Sequence, residues 1–234
     1  MNLHYAYLIG ALIILPLWVF LYYWRPDLRF KMLFASFCVG ILALIWSPWF
    51  WFDYWSPQYL YNLSFHFKKI GGIEDFFYGF FSGGISSVIY EEIFGKKFAK
   101  RINREHHWIL LLAPLFILFC LSFGIPIYLG LNSLYAALIA FLIGCLFVLY
   151  FRKDLIIDAL ASGLLFSLIT LLFYIIFLGL FPNIVANWWH TKNLSGIFIL
   201  GIPIEELSWA FAMGMMSGPL YEFAMGLRLA KIKR

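Results

Sequence analysis

GIEDFFYG at residues 72–79 and PIEELSWA at residues 203–210 are two copies of one pattern, placed 131 residues apart. In each copy two adjacent acids, Glu74-Asp75 and Glu205-Glu206, stand at the start of an apolar segment of helical length. A carboxylate at the centre of a membrane helix costs roughly 2.5 to 3.5 kcal/mol. Two acid pairs repeated at equivalent positions therefore indicate that these carboxyl groups have a structural or functional role that offsets this free-energy cost.

The composition predicts an integral membrane protein. The chain is 64% hydrophobic and 12% charged, with a mean hydropathy of +0.87, whereas about a quarter of the residues of a soluble domain are charged. Apolar segments near the roughly 20 residues needed to cross a bilayer predict seven transmembrane helices in an all-α polytopic fold. The predicted spans are 5–24, 31–51, 73–95, 108–124, 127–151, 155–181 and 196–227.

Lysine and arginine predict the orientation. Most of them fall in loops on one side of the predicted spans and in the C-terminal segment, and basic loops lie on the cytoplasmic side. We expect an integral plasma-membrane protein with the N-terminus outside and the C-terminus cytoplasmic. The net charge of +5 is then an attraction to membrane lipids, and no nucleic-acid partner is predicted.

A second pair of motifs extends the repeat. Arg25-Pro26-Asp27-Leu28 closes the first span and Arg152-Lys153-Asp154-Leu155 closes the fifth. These R-x-D-L turns predict one membrane domain, 1–234, made of two three-helix repeats at 1–95 and 127–234. A basic loop and connector helix at 96–126 join them. Because the connector adds a single crossing, the two repeats should run in parallel, with a shared site between them.

The repeated acids are the candidate catalytic residues. Adjacent carboxylates raise one another's pKa and burial raises it further, so such a pair can keep a proton donor at neutral pH. Along their helices Glu74 and Glu205 head a bulky face, which could line an apolar substrate chamber. The residues predicted to bind substrate on that face are Tyr78, Phe81, Trp209 and Met216. The alternative is structural, because acids in a first helical turn also complement the helix dipole.

Other polar groups favour structural roles. Glu91 and Glu222 lie at the predicted cytoplasmic ends of their helices, where we expect ion pairs with the R-x-D-L turns. The groups of these turns are Arg25, Asp27, Arg152 and Asp154. Glu105-His106-His107 reads as a solvated basic loop because adjacent histidines on a regular helix cannot face one ion. We predict no metal site and no cofactor, since dinucleotide and P-loop motifs are not found in a usable context.

The stretch GIPIEELSWAF at 201–211 resembles the P-x-E-(E/D) motif of the membrane-integral lycopene cyclase domain, found in two-subunit bacterial and fused carotenoid cyclases. The R-x-D-L turns and the tandem organisation are similar too. The resemblance implies non-redox, acid-catalysed closure of β-ionone rings on a lipophilic polyene, and its motif acids correspond to Glu205 and Glu206 and, by the repeat, to Glu74 and Asp75. We assign Glu205 and Glu74 as the proton donors because they head the bulkier face. One departure is Gly72, where the motif has proline, and it puts the activity of the first copy in question.

Two other classes remain open. A different prenyl-lipid or carotenoid enzyme, such as a hydratase, would use the same acids with water as the final nucleophile. A small transporter or binding protein on the same fold would use intramembrane acids without catalysis. The sequence predicts neither the particular polyene nor the oligomeric state.

Overall fold

The computed structural model describes residues 3–65, 68–100 and 108–231, and within them the chain is mainly helical. The helical class predicted from the sequence is confirmed. The described α-helices are α1 (Ala6–Trp24), α2 (Arg29–Asp53), α3 (Ile73–Ile93), α4 (Trp108–Leu129), α5 (Ser133–Phe151), α6 (Ile156–Leu180), α7 (Ile184–Trp188) and α8 (Ile204–Met225). All but α7 have between 19 and 25 residues.

Short antiparallel strand pairs precede or follow the helices that carry the acid motifs. Strands β1 (Asn62–Phe65) and β2 (Lys68–Gly72) lead into α3, and β4 (Phe198–Ile199) and β5 (Ile202–Pro203) lead into α8. Strands β3 (Lys96–Lys100) and β6 (Leu227–Lys231) follow α3 and α8 and pair with each other. The seventh predicted span is therefore too long at its start, because residues 198–203 form a hairpin and not helix.

Five segments in the described residues are long and apolar enough to cross a membrane: Leu3–Trp24, Pro26–Asp53, Leu112–Leu129, Ser133–Phe151 and Lys153–Leu180. The two long helices outside this set, α3 and α8, carry the repeated acids and are the most extensively buried. They pack against each other, α2 and α1 flank α3, and α6 and α5 flank α8. The acids are thus carried on the central helices, inside a coat of apolar ones.

Glycines allow the central helices to approach their partners closely. A Cβ added at Gly83 would lie 2.8 Å from the backbone oxygen of Ala35 on α2, and one added at Gly214 would lie 2.7 Å from that of Ser162 on α6. Such contacts are far closer than ordinary packing, so a side chain at either position would push the helices apart. In lipid, where helices associate by close packing, small residues at the seam serve this purpose.

The two R-x-D-L turns make matching contacts with the backbone at the ends of α3 and α8. Arg25 donates to Asp27 (2.9 Å) and to the backbone oxygens of Glu91 (3.2 Å) and Lys96 (2.6 Å). The C-terminal carbonyls of a helix have no partner within the helix, so these bonds fix the end of α3. The carboxylate of Glu91 does not take part, which differs from the ion pair expected from the sequence.

The second turn repeats this arrangement at the end of α8. Arg152 donates to Asp154 (2.8 Å) and to the backbone oxygens of Glu222 (3.1 Å) and Leu227 (2.5 Å). Only 1% of Arg152 is exposed, so these acceptors replace its hydration. Here too the arginine donates to the backbone oxygen of the glutamate and not to its carboxylate, because that carboxylate accepts a hydrogen bond from Lys31.

Candidate functional site

A narrow cavity of about 90 Å³ lies where α3 and α8 begin, between the two halves of the chain. Both halves contribute to its wall, which is mainly aromatic. Its ring-bearing residues are Tyr7, Trp46, Phe50, Tyr54, Trp55, Tyr78, Phe173, Tyr174, Phe177, Trp188, Trp189 and Trp209. Two acids, Asp75 and Glu206, are the carboxyl groups in this wall. The second acid of each repeated pair therefore faces the same apolar space.

Asp75 is held by a set of hydrogen-bond donors. It accepts from the hydroxyls of Tyr7 (2.6 Å) and Ser47 (2.7 Å) and from the backbone N–H of Gly72 (3.0 Å). Tyr59 shares a hydrogen bond with Ser47 (2.8 Å). Burial of its phenol, and to a smaller extent the negative charge of the nearby Asp75, raises the pKa of Tyr59 above its usual range. Its phenol thus stays protonated. Three donors suit a charged carboxylate, because hydrogen bonds to an ionised acceptor are the strong ones.

Glu206 has a much poorer environment. Its Oε1 accepts from the indole N–H of Trp189 at 2.6 Å. The position that corresponds to Gly72 is Pro203, the residue just before α8, and proline has no backbone N–H to donate. In the described part of the chain Glu206 has no cation partner, and it is 7% exposed. The two cavity acids therefore occupy equivalent positions in different chemical surroundings.

The different residues at matched positions of the two halves explain this asymmetry. The residue of α5 that corresponds to Tyr7 of α1 is Leu134, which also lines the cavity but has no hydroxyl. The residue that corresponds to Ser47 is Tyr174. Asp75 therefore gains two hydroxyl donors from α1 and α2 that Glu206 does not receive from their counterparts.

The first acids of the two pairs point away from the cavity. Glu74 accepts from the backbone N–H groups of Leu60 (2.7 Å) and Tyr61 (3.2 Å). Glu205 accepts from the backbone N–H of Ser195 (2.6 Å) and from the Tyr135 hydroxyl (2.8 Å). Each therefore ties the loop before its helix to the helix start. Neither is among the residues that line the cavity.

The four residues predicted to bind substrate are divided between this site and other places. Tyr78 and Trp209 line the cavity, at matched positions of α3 and α8. Phe81 packs instead against Trp18, with ring centroids 6.1 Å apart. Met216 lines a separate apolar cavity between α2, α4, α5 and α8. The sequence pattern did not single out Tyr7 or Trp189, because their contacts to the acids arise only when distant segments meet.

The arrangement can bind an apolar group and supply acid chemistry to it. Aromatic faces carry a negative quadrupole, which attracts a cation placed over them. An apolar wall excludes water that would compete for such a cation. One poorly stabilised acid and one well-stabilised acid in the same cavity can serve as a proton donor and a proton acceptor, since different environments give two carboxyl groups different acid and base strengths.

Comparison with known proteins found one matching family. The family model described as lycopene cyclase matches residues 132–224, which span α5, α6, α7 and nearly all of α8. The resemblance inferred from the sequence is therefore confirmed over this segment, and it supports a general role in carotenoid cyclisation. The matched segment includes Glu206 and Trp209, whereas Asp75 lies outside it. No curated protein and no solved structure gave a match.

Proposed function

We propose that this chain is a membrane-embedded carotenoid cyclase, which closes β-ionone-type rings on the linear ends of a lycopene-like polyene without redox chemistry. The observation that carries the proposal is the aromatic cavity shared by Asp75 and Glu206, together with the lycopene cyclase match over residues 132–224. A hydrocarbon substrate needs an apolar chamber, and its protonation needs an acid within that chamber.

Glu206 is the proton donor in this mechanism. A buried carboxylate without a cation partner costs several kcal/mol, so the resting acid carries its proton. It transfers the proton to the terminal double bond of the polyene and leaves a tertiary carbocation. The π electrons of an internal double bond then attack that cation and close a six-membered ring. The aromatic walls, Trp209 among them, stabilise the positive charge.

Asp75 is the base. Its three donors stabilise the ionised form better than the single donor of Glu206 does, so it stabilises the ring cation and accepts a proton from the carbon next to the cationic centre, which forms the new ring double bond. Asp75 then releases this proton and Glu206 regains one. One proton is taken up and one is lost, so the product has the mass of the substrate. The sequence pattern suggested Glu74 and Glu205 as donors, but their bonds to neighbouring backbone N–H groups favour a positioning role.

The cavity is small in this conformation. An engineered cavity of about 150 Å³ is what accommodates one benzene ring, so a cavity of about 90 Å³ is too small for a ring-forming polyene end. The wall side chains must move apart to admit it. Tight enclosure before and after the reaction would keep water away from the carbocation.

The membrane arrangement that we propose is seven crossings, with α3 and α8 at the centre of two parallel repeats. The matched contacts of Arg25 and Arg152 support the repeat. So does a hydrogen bond of 2.8 Å between Ser86 and Ser217, which are 131 residues apart and therefore correspond under the repeat. Such a bond between equivalent residues is expected on a twofold axis. The basic loops favour a cytoplasmic C-terminus in the plasma membrane, with the acid cavity near the outer face.

Expression of the chain in cells that accumulate lycopene tests the function. We expect a carotenoid of unchanged mass with a cyclic end group, identified by its retention, absorption spectrum and mass. A product heavier by one water would instead indicate a hydratase that uses the same acids. If lycopene stays unchanged in cells that contain the membrane-inserted chain, the cyclase proposal is wrong.

We expect Pro203→Ala to slow cyclisation by roughly 10- to 100-fold. The alanine supplies a backbone N–H where Gly72 supplies one to Asp75, and a hydrogen bond to a charged group contributes about 1.5–3 kcal/mol. This bond would favour the ionised form of Glu206 and leave less of the protonated donor at neutral pH. The measurement is the rate of ring formation in isolated membranes as a function of pH.

The pH profile separates this positioning effect from simple damage. The Pro203→Ala enzyme should recover activity at lower pH, whereas a misfolded enzyme would not. Pro182→Ala is the control, since Pro182 is an exposed proline just after α6. An unchanged rate and profile for Pro203→Ala would show that the missing donor does not set the state of Glu206.

A further inference from the structure

A second group of buried acids lies far from the aromatic cavity. Glu91 on α3, Glu222 on α8 and Asp158 on α6 are 0–2% exposed, and so is Lys31 on α2. Asp75 and Glu91 stand near opposite ends of the same helix, which puts them on the order of 24 Å apart at 1.5 Å per residue. This cluster is therefore a different site, and the proposed cyclisation makes no use of it.

Each carboxylate of this cluster has one oxygen bound and the other free. Lys31 donates to Oε1 of Glu91 (2.5 Å) and to Oε1 of Glu222 (2.7 Å), and Ser162 donates to Oδ1 of Asp158 (3.0 Å). The remaining oxygens, Oε2 of Glu91, Oε2 of Glu222 and Oδ2 of Asp158, are buried and have no hydrogen-bond partner among the described residues. Buried polar atoms without partners are rare in proteins and call for an explanation.

With all three acids ionised, the charges of the cluster would not balance. Lys31 supplies one positive charge against three carboxylates, and the groups lie inside a helix bundle with an apolar exterior. Lys31 and Asp158 follow their respective R-x-D-L turns at the same distance along the chain. At matched positions the first half therefore contributes a cation to the cluster and the second half contributes a third acid. Buried charges of this kind are paired or coordinate a metal.

We propose that Glu91, Asp158 and Glu222 bind a divalent cation of the size of Ca²⁺. One ligand oxygen from each residue can be chosen so that all three lie within 4.8 Å of one another. Oxygens bound to Ca²⁺ at about 2.3–2.6 Å are separated by up to roughly twice that distance, so three such oxygens can share one ion. Two positive charges would also balance the cluster.

Lys31 and Ser162 complete the site as outer donors. Carboxylates that bind a metal are themselves held by hydrogen bonds from a surrounding set of residues, and these set their orientation. Lys31 orients both glutamates through their Oε1 atoms, and Ser162 orients Asp158. Gly218 leaves room at this point, because an added Cβ would lie 2.5 Å from the Ser162 hydroxyl. The ion would link α3, α6 and α8 at the end opposite the acid cavity.

Calcium titration of the purified full-length chain tests the proposal. The protein is treated with a chelator in detergent at pH 7.5, and Ca²⁺ is then added while metal content and Tm are measured. We expect one Ca²⁺ per chain and a rise in Tm of roughly 5–10 °C at a hundredfold excess over Kd. Asp158→Asn should weaken Ca²⁺ binding by at least about tenfold.

Two further variants keep the test decisive. Ser162→Ala leaves the three ligands in place and should weaken binding by roughly 10- to 100-fold, as the loss of an outer donor does. Asp53→Asn removes an acid at the end of α2 remote from Lys31 and should bind Ca²⁺ like the wild type. The proposal is overturned if the wild type binds no Ca²⁺. A Tm that then rises on acidification alone would show that protons neutralise the cluster.

Discussion

Glu206→Gln should reduce ring formation by at least about 100-fold while the protein still inserts and stays folded. General acid catalysis contributes typically 10²- to 10⁴-fold, and an amide cannot donate the proton that starts the reaction. The glutamine keeps the size of the side chain, and its oxygen can still accept from Trp189. The measurement is the initial rate of conversion of lycopene in membranes that contain equal amounts of each protein.

Glu205→Gln is the matched control for this variant. Glu205 is the adjacent acid, but it contacts Ser195 and Tyr135 and does not line the cavity. We expect Glu205→Gln to retain at least about a tenth of the activity, with a lower Tm because its loop contacts weaken. If Glu205→Gln is inactive and Glu206→Gln is active, the donor is Glu205, as the sequence pattern suggested.

The helices were predictable because hydropathy and length depend on local sequence. The predicted span 155–181 differs from α6 (Ile156–Leu180) by one residue at each end. The predicted ends of the spans were wrong where a local feature, such as a glycine in a turn, determines where a helix ends. The fifth span was predicted to begin at 127, but α4 continues to Leu129, and Gly130 adopts a positive φ of 65° in the turn before α5.

The position of the acid pairs at the helix starts was predictable, but which acid of each pair faces the cavity was not. Adjacent residues on a helix differ by about 100° in direction, so the choice between Glu205 and Glu206 depends on how α8 is rotated against its neighbours. That rotation is set by the packing of Gly214 against α6 and by the position of Trp189. Neither is encoded in the acid motif itself, which is why the bulkier helix face was a poor guide to the cavity.

Lys31 shows a different limit of sequence reasoning. As one of the basic residues near a helix end, it contributed only to the prediction of membrane orientation. In the structure it is 1% exposed and contacts two glutamates on separate helices. A single lysine carries no periodic or motif signal, so its long-range partners could not be inferred from the sequence.

Lys31→Met should cause the largest loss of stability of any single substitution that we consider. Breaking a buried ion pair by removing one partner costs about 3–5 kcal/mol, because the remaining charge is left without compensation. Here the substitution leaves Glu91, Glu222 and Asp158 without their cation. For a chain of this size the loss corresponds to a fall in Tm of roughly 6–20 °C, measured on purified protein in detergent with a chelator present, so that no bound metal contributes.

A second substitution in the Lys31→Met background shows why stability is lost. It distinguishes the loss of the charge that compensates the acids from the loss of side-chain packing. Methionine fills much of the space of the lysine stem, and replacing Glu222 by Gln in the Lys31→Met background removes one of the uncompensated carboxylates. The double variant should therefore regain part of the lost Tm, although each single variant is destabilised. Lys153→Met, at an exposed lysine, should change stability by no more than about 0.5 kcal/mol. A Lys31→Met protein as stable as the wild type would mean that the three acids are already neutral without the lysine, and that the cluster carries protons instead of charge.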